Sequence, residues 1–599
     1  MSGRPLSELR RSVTRHRAAA VNTAARDPIS NYRIKELHGR LIRSHQCSNS
    51  NSMAEVIKHY ALSESSLQKS MLAFSKICNP SLPIWNHMIR GLSQSDRPED
   101  ALHLFDEMRQ RGLRGNNLTF IFVCKACAKI PNILYGKRIH VHVLKMGFGS
   151  YLYACNALIH MYGFCGELGF ARKVFDEMSE RDLVSWNSLI CSYSQCGNYD
   201  DVLGVFDAMR VENVKADAVT MVKVVLACVH VGETKLVESM MEYIEDNGVE
   251  IDVFLGNTLI DVYGKRGSVG SAWNIFERMG KKNVVSWNAM IAAAAKSGDI
   301  SLAKKLFDET VERDVVTWTC MIAGYAQSNR YEDAVTLFDE MVAAKINPDR
   351  VTIATVLSAC ARLGRLDLGD AVHDYLTRSK IETDIYVENA LVDMYSKCGS
   401  VEKALAVFRG MKRLDPVSWT AIICGVAVNG DPDRALNLFS EMLRNGVKPI
   451  HGTFVGVLLA CAHSGLVEKG LSFFDDMRKI YGLVPEMAHY GCVVDLLCRA
   501  GDLCKAYEVA RSIPVSSDVV VWRMLLSACN LYGDTVLAKI ASDKILEVDP
   551  CNGVDYVLSS NLYAGVEKWD EVVRMRELVE KGRGNVSRPS GWSSIQIID

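Results

Sequence analysis

The 599-residue sequence predicts an all-α protein, an α-solenoid of paired antiparallel helices, on three observations. Tryptophan recurs on a fixed interval: Trp85 to Trp186, Trp186 to Trp287 and Trp318 to Trp419 are each 101 residues apart, and Trp287 to Trp318 is 31. Apolar residues between these landmarks fall at helical spacing, as in Trp186, Leu189, Ile190 and Tyr193, then Val202, Val205, Phe206 and Met209. Cysteine keeps the same register, with Cys127, Cys228, Cys360, Cys461 and Cys529 each the eleventh residue of its unit.

An interval of 101 resolves into two units of 35 residues and one of 31, which places the cuts. The units are 82–116, 117–151, 152–182, 183–217, 218–252, 253–283, 284–314, 315–349, 350–384, 385–415, 416–450, 451–486 and 487–518. A degenerate unit at about 50–81 and a half unit at about 30–49 precede them, and two divergent units follow from 519. Within a unit, each apolar series is one helix stripe, and a glycine such as Gly197 stands where the first helix ends in a left-handed residue. One hairpin cannot bury both stripes, so neighbours must stack into a continuous core. A small, polarizable cysteine at a tight helix crossing explains the third register.

Composition excludes several classes. An apolar fraction of 48% with 23% charged residues is that of a folded soluble protein, and no run of 18 apolar residues suggests a membrane span. The formal charge of -1 argues against binding nucleic acid chiefly by counterion release, so any such affinity must come from local geometry. The 19 cysteines lack the spacing of a disulfide framework and read as reduced thiols. The first 26 residues carry Arg4, Arg10, Arg11, Arg15, Arg17 and Arg26 against one acid, Glu8, the composition of an organellar transit peptide over about 1–29. The early Arg4 favours the mitochondrion, with the chloroplast as the alternative destination and a disordered basic tail as the alternative structure.

The landmark segments are specific. Val-Ser-Trp-Asn at 184–187 and 285–288, Leu-Phe-Asp-Glu-Met at 104–108 and 337–341, and Asn-Pro-Asp at 347–349 resemble plant pentatricopeptide repeats, and the 35/35/31 alternation is similar to the subclass with long and short variants. The resemblance covers roughly 30–599. Residues 519–552 and 553–598, including Val557–Ala564 and Gly591-Trp592-Ser593-Ser594-Ile595, resemble that subclass's two E-type C-terminal motifs. The resemblance implies a right-handed superhelix that reads single-stranded RNA one base per repeat. It also implies a terminal segment, 519–599, that brings in a separate deaminase, since the cytidine-deaminase-like domain that often follows in relatives is not seen here. C-to-U editing-site selection is the leading reading. An organellar factor for RNA stability, splicing or translation is the first alternative, and a protein-binding scaffold is the alternative from another class.

The resemblance assigns base reading to the fifth and last residues of each unit. Here the pairs are Asn86 with Asn116, Asn156 with Asp182, Asn187 with Asp217, Asn257 with Asn283, Asn288 with Asp314, Thr319 with Asp349 and Asn389 with Asp415, while Thr420 departs by facing Ile450. U and G present a ring N–H that an acceptor-only carboxylate suits, whereas C and A present a bare ring nitrogen that an amide can serve. With the family's preference of Asn for pyrimidines and Thr for purines, the implied target runs C-x-U-U-x-C-U-G-x-U-R. Taken singly, each of these residues reads more readily as a helix cap than as a ligand, and it is their recurrence that favours reading. The fifth residues Ile121, Val222, Ala354 and Val455 are apolar and cannot read by hydrogen bond, and Gly491 also falls off the pattern.

No catalytic site is expected. The zinc deaminase signature needs His-x-Glu before Pro-Cys-x-x-Cys, and none of the 14 histidines has a Glu two residues on. Cys124 and Cys127 form a lone Cys-x-x-Cys inside a predicted helix, and His140-x-His142 reads as a structural pair. No cofactor or metal is expected.

Overall fold

The computed structural model describes residues 28–44, 50–62, 66–130, 132–232, 234–379, 383–513, 519–548, 553–565 and 567–581. The expected transit segment, apart from residues 28 and 29, and the Gly591–Ile595 motif lie outside the described residues. Those described form 33 α-helices and no strand. None of these helices is long and apolar enough to cross a membrane. The chain divides into two compact units, 1–290 and 291–599, with the division inside the helix Val284–Lys296.

Each body is a stack of helical hairpins. In the first, helices start at residues 82, 117, 152, 183, 218, 253 and 284, and in the second at 315, 350, 385, 416, 451, 487 and 519, so every unit opens on the first residue of a helix. The hairpin Leu183–Cys196 and Tyr199–Val211 shows how. Gly197 takes φ 80°, which glycine adopts without steric cost, and the Asn198 N–H closes the turn by donating to the Tyr193 carbonyl at 3.1 Å. Both apolar stripes are buried: Trp186, Leu189, Ile190 and Tyr193 on the first helix, Val202, Val205, Phe206 and Met209 on the second.

Neighbouring units are joined by aromatic edges. The Trp186 ring stands edge-on to Phe175 of the preceding unit's second helix, with centroids 4.8 Å apart, and Phe74–Trp85, Phe276–Trp287, Phe307–Trp318 and Phe408–Trp419 repeat the contact at 4.8 to 5.1 Å. Such pairs add about 0.5–1.5 kcal/mol beyond the area they bury. The register cysteines Cys127, Cys228, Cys360, Cys461 and Cys529 are all buried. A Cβ added to Gly470 would come within 3.2 Å of the Cys461 Cβ, which locates that cysteine at a close helix crossing.

First helices of successive units approach closely enough to demand small residues. A Cβ on Gly324 would lie 2.6 Å from the Ala295 Cβ of the preceding unit. Gly324→Val is therefore expected to destabilise the second body by about 1–3 kcal/mol, because overpacking and lost helix propensity act together. A urea melt of the variant checks this, and an unchanged midpoint would show that the crossing has slack.

The last described hairpins differ in how they are held. Helix Val519–Tyr532 and helix Thr535–Val548 share one core with the units before them, in which Val493, Leu497 and Ala506 pack with Leu525, Leu526, Cys529 and Ala541. Helices Gly553–Gly565 and Trp569–Lys581 instead enclose a small core of their own, Tyr563, Val572 and Met575.

Candidate nucleic-acid interface

The last residue of a unit precedes a first helix whose initial N–H groups have no intrahelical partner, and where it is Asp or Asn its side chain caps them, whereas Tyr151 and Ile450 make no such bond. Asp217 Oδ1 accepts from the Thr220 N–H at 2.8 Å, Asp182 from Ser185 at 2.8 Å, Asp349 from Thr352 at 2.8 Å and Asp415 from Ser418 at 2.8 Å. Asn116, Asn283 and Asp314 do the same toward Thr119, Ser286 and Thr317 at 2.9 to 3.1 Å. At the departure from the pattern, the Ile450 N–H donates to Thr453 Oγ1 at 3.1 Å, and no side-chain acceptor returns the bond. At the next boundary His489 takes the place of Ser or Thr: its Nδ1 accepts from the Glu486 N–H at 3.0 Å, and its Nε2 lies 2.9 Å from the His451 carbonyl.

The fifth residue, one turn into the helix, leans onto the last residue of its own unit. Asn86 Nδ2 donates to Asn116 Oδ1 at 3.0 Å, Asn156 to Asp182 at 3.3 Å, Asn187 to Asp217 at 3.1 Å, Asn257 to Asn283 at 3.5 Å and Asn389 to Asp415 at 3.5 Å. Thr319 and Thr420 reach their neighbours through a hydroxyl, at 2.6 Å to Thr352 and 2.6 Å to Thr453. Asn288 and Asp314 stand in different bodies; Asn288 is buried on its helix and Asp314 caps Val315–Gln327. The structure thus brings together Asn86/Asn116, Asn156/Asp182, Asn187/Asp217, Asn257/Asn283 and Asn389/Asp415 directly. It links Thr319 to Asp349 through Thr352, whose hydroxyl donates to Asp349 Oδ1 at 2.8 Å.

Capping and reading are not exclusive on this geometry. Among the described residues, the hydrogen bonds into Asp182, Asp217, Asp349 and Asp415 all end on Oδ1, and Oδ2 receives none. Burial pushes the Asp182 and Asp217 carboxyls up, but bonds from Ser185 and Asn156, and from Thr220 and Asn187, outweigh it and hold both below the usual range. Each is therefore an anion at neutral pH, with one oxygen committed to the fold and one able to accept. The asparagines are recessed: Asn86, Asn156 and Asn288 are only 5–6% exposed, while Asn187, Asn257 and Asn389 are half-buried.

Two sets of residues escape a reading of the sequence. The second residue of most units is a large apolar side chain left exposed, among them Leu118, Tyr153, Val184, Phe254, Val285, Val316, Val351, Tyr386 and Val417. An apolar residue exposed at the same step of unit after unit is the informative exception to burial, and its signal was an apolar position off the buried stripe. The thirteenth residue is basic in many units, as Lys129, Lys265, Lys296, Arg362, Lys397 and Arg499. Positions 5, 9 and 13 follow one another at four-residue spacing along one helix face. In three units an acid at position 9 pairs with that cation: Asp261–Lys265 at 2.6 Å, Asp393–Lys397 at 2.7 Å and Asp495–Arg499 at 2.8 Å.

Among the described residues no group of three or more His, Cys, Asp or Glu could hold a metal ion. Cys124 and Cys127 are buried in the helix Asn117–Lys129, and burial pushes the Cys127 thiol up to about 12. His140 Nδ1 lies 2.9 Å from the Tyr162 hydroxyl, a contact repeated by His373 and Tyr395 at 2.8 Å.

Comparison with known proteins agrees with this architecture. A model described as PPR repeat family matches residues 80–129, 181–230 and 313–362, and a model described as PPR repeat matches 153–183, 257–284, 285–315, 389–415, 417–447 and 453–480. A model described as E motif matches 532–596, inside the segment expected from 519. A mitochondrial pentatricopeptide repeat-containing protein of Arabidopsis thaliana is 38% identical over 94% of this chain and 83% of its own. A second Arabidopsis thaliana pentatricopeptide repeat-containing protein is 43% identical over 84% of this chain and 73% of its own. Among solved structures, the pentatricopeptide repeat protein PPR10 from maize superposes with a TM-score of 0.56 at 17% identity, covering 94% of this chain and 97% of that one. PPR10 in complex with an 18-nt psaJ RNA element gives 0.51 at 18% identity, over 96% and 92%. This chain belongs to the pentatricopeptide repeat family and carries its E motif.

Proposed function

We propose that this chain is a sequence-specific single-stranded RNA-binding protein of a plant organelle that selects a site for C-to-U editing by a separate deaminase. The observation that carries the RNA reading is the paired fifth and last residues, five times hydrogen-bonded to each other at the start of a first helix. A base edge offered there meets the amide N–H that Asn does not give to its partner and the atom that the cap does not use, the acceptor Oδ2 of Asp182, Asp217 and Asp415 or the donor Nδ2 of Asn116 and Asn283. The exposed second residue supplies an apolar face for the same base to stack on. The thirteenth residues lie eight positions, about 12 Å, along the helix from the fifth, a reach suited to phosphates. Family membership and the RNA complex of PPR10 support the reading.

The editing role rests on the E motif, and the mitochondrion is proposed from the arginine-rich start and from relatives named as mitochondrial, with the chloroplast as alternative. Sequencing organellar RNA from a plant lacking this protein should show a lost C-to-U event. Altered transcript ends or introns with all editing intact would instead favour a role in stability or splicing. In vitro, the purified chain should bind C-A-U-U-A-C-U-G-A-U-A well above a scrambled RNA of the same composition and leave every C unchanged. Equal binding of both would sink the reading.

Thr319→Asn tests one unit. Unit 315–349 has the same 35-residue length as unit 183–217, and the third residue of the next unit is likewise a threonine, so Asn at 319 should take up the geometry of Asn187 beside Asp349. The preferred base at that unit should move from G toward U, a change worth roughly 1–3 kcal/mol by analogy with base-edge contacts. Titrating both variants with both RNAs measures it, and identical preferences would refute it.

A further inference from the structure

We propose that the third residue of the following unit is a positioning residue for base reading: its hydroxyl locks the fifth-position amide in 35-residue units and leaves it unlocked in 31-residue units. The inference rests on the RNA reading proposed above and adds a third member to each reading pair.

In unit 183–217, Thr220 Oγ1 lies 2.5 Å from Asn187 Oδ1 and 2.8 Å from Asp217 Oδ1. A hydroxyl has one proton, and both neighbours are acceptors. Asp217 Oδ1 already receives the Thr220 N–H at 2.8 Å and the Asn187 amide at 3.1 Å, so the proton is assigned to the shorter contact, that with Asn187. Asn187 is then held at both ends: Oδ1 by Thr220, one Nδ2 hydrogen by Asp217. The amide cannot flip, and its remaining N–H is the one group left to meet a base. Unit 82–116 repeats the arrangement, with Thr119 Oγ1 2.7 Å from Asn86 Oδ1.

The short units differ in each of these respects. Ser185, Ser286 and Ser418 give their hydroxyls to the cap at 2.8, 3.0 and 2.9 Å. Asn156, Asn257 and Asn389 keep a buried Oδ1 with no partner among the described residues. Their amide bonds to the last residue are also longer, 3.3 to 3.5 Å against 3.0 to 3.1 Å. Units 152–182 and 183–217 carry the same Asn/Asp pair and are assigned the same base, and they differ in the lock.

The test uses the full chain and the RNA C-A-U-U-A-C-U-G-A-U-A, in which the third and fourth nucleotides face units 152–182 and 183–217. Replacing each U by C in turn gives two discrimination ratios. The wild type should discriminate more strongly at the fourth nucleotide than at the third. Thr220→Val, which keeps the shape and removes the hydroxyl, should lower the fourth ratio about fivefold, as expected for one lost buried hydrogen bond, and leave the third unchanged. Thr220→Ser should retain most of it. Ser185→Val is the control: it loses a comparable contact to the cap but none to the asparagine, so the third ratio should hold. Thermal melts of both valine variants report the shared structural cost. An unchanged fourth ratio in Thr220→Val overturns the lock, as does an equal fall at the third nucleotide in Ser185→Val. No discrimination by the wild type at either nucleotide would instead overturn the base reading itself, and the lock with it.

Discussion

Trp186→Ala is expected to destabilise the first body by about 3–5 kcal/mol, the range for removing a large buried aromatic. The ring is 2% exposed and edge-on to Phe175, so its loss opens the seam between units 152–182 and 183–217. In a linear array such a break acts on one nearest-neighbour interface and can split a single transition into two. Trp186→Phe should cost less than about 1.5 kcal/mol, since it keeps a ring against Phe175 and the indole Nε1 it removes has no hydrogen-bond partner among the described residues. Trp85→Phe should cost more than Trp186→Phe, because Trp85 Nε1 donates to the Pro80 carbonyl at 3.2 Å. Urea denaturation of the three variants orders them, and equal losses for Trp186→Ala and Trp186→Phe would show that the aromatic seam does not hold the stack.

The seam was legible in the sequence because tryptophan is rare and its interval is long. Helix phase followed from the apolar stripes, and the turn from Gly197, whose positive φ few other residues adopt. The reading pairs were legible by recurrence, yet their chemistry was not. On the sequence, cap and reader compete for one Asp; in the structure the cap uses Oδ1 and leaves Oδ2 for the proposed reading, a distinction no residue type encodes. The exposure of Val184 and Tyr153 was hidden for another reason. Apolar residues are assigned to a core by default, and one helical step separates the buried stripe from the open edge. The contact of Thr220 with Asn187 depends on unit length, which brings residues 33 apart together in long units but not those 29 apart in short ones.

Removing the terminal segment should abolish editing while RNA affinity survives, provided the cut respects the core. Truncation after 548 keeps the helices that share a core with units 451–518 and removes the hairpin enclosing only Tyr563, Val572 and Met575. That protein should bind its RNA nearly as the full chain does, since the reading pairs lie before 451, and should fail to restore the edited site in a plant lacking the protein. Truncation after 518 strips the cover from Val493, Leu497 and Ala506, and should in addition fray the last repeats in hydrogen exchange. Full editing by the 548 truncation would sever the E motif from deaminase recruitment.

The shared carboxylate also bears on how such arrays can be rebuilt. Asp217 belongs to unit 183–217 by numbering, but its Oδ1 caps the next helix, and the hydroxyl that meets both it and Asn187 comes from Thr220. A graft cut at helix starts would transplant a specificity while leaving part of its anchorage in the host, so its success would vary with the serine or threonine it happened to meet. Crossovers placed a few residues into the following helix would carry the whole constellation. Inheritance by recombination and engineering by module exchange would both favour that offset breakpoint, where the segment that folds and the segment that is exchanged are out of step by three residues.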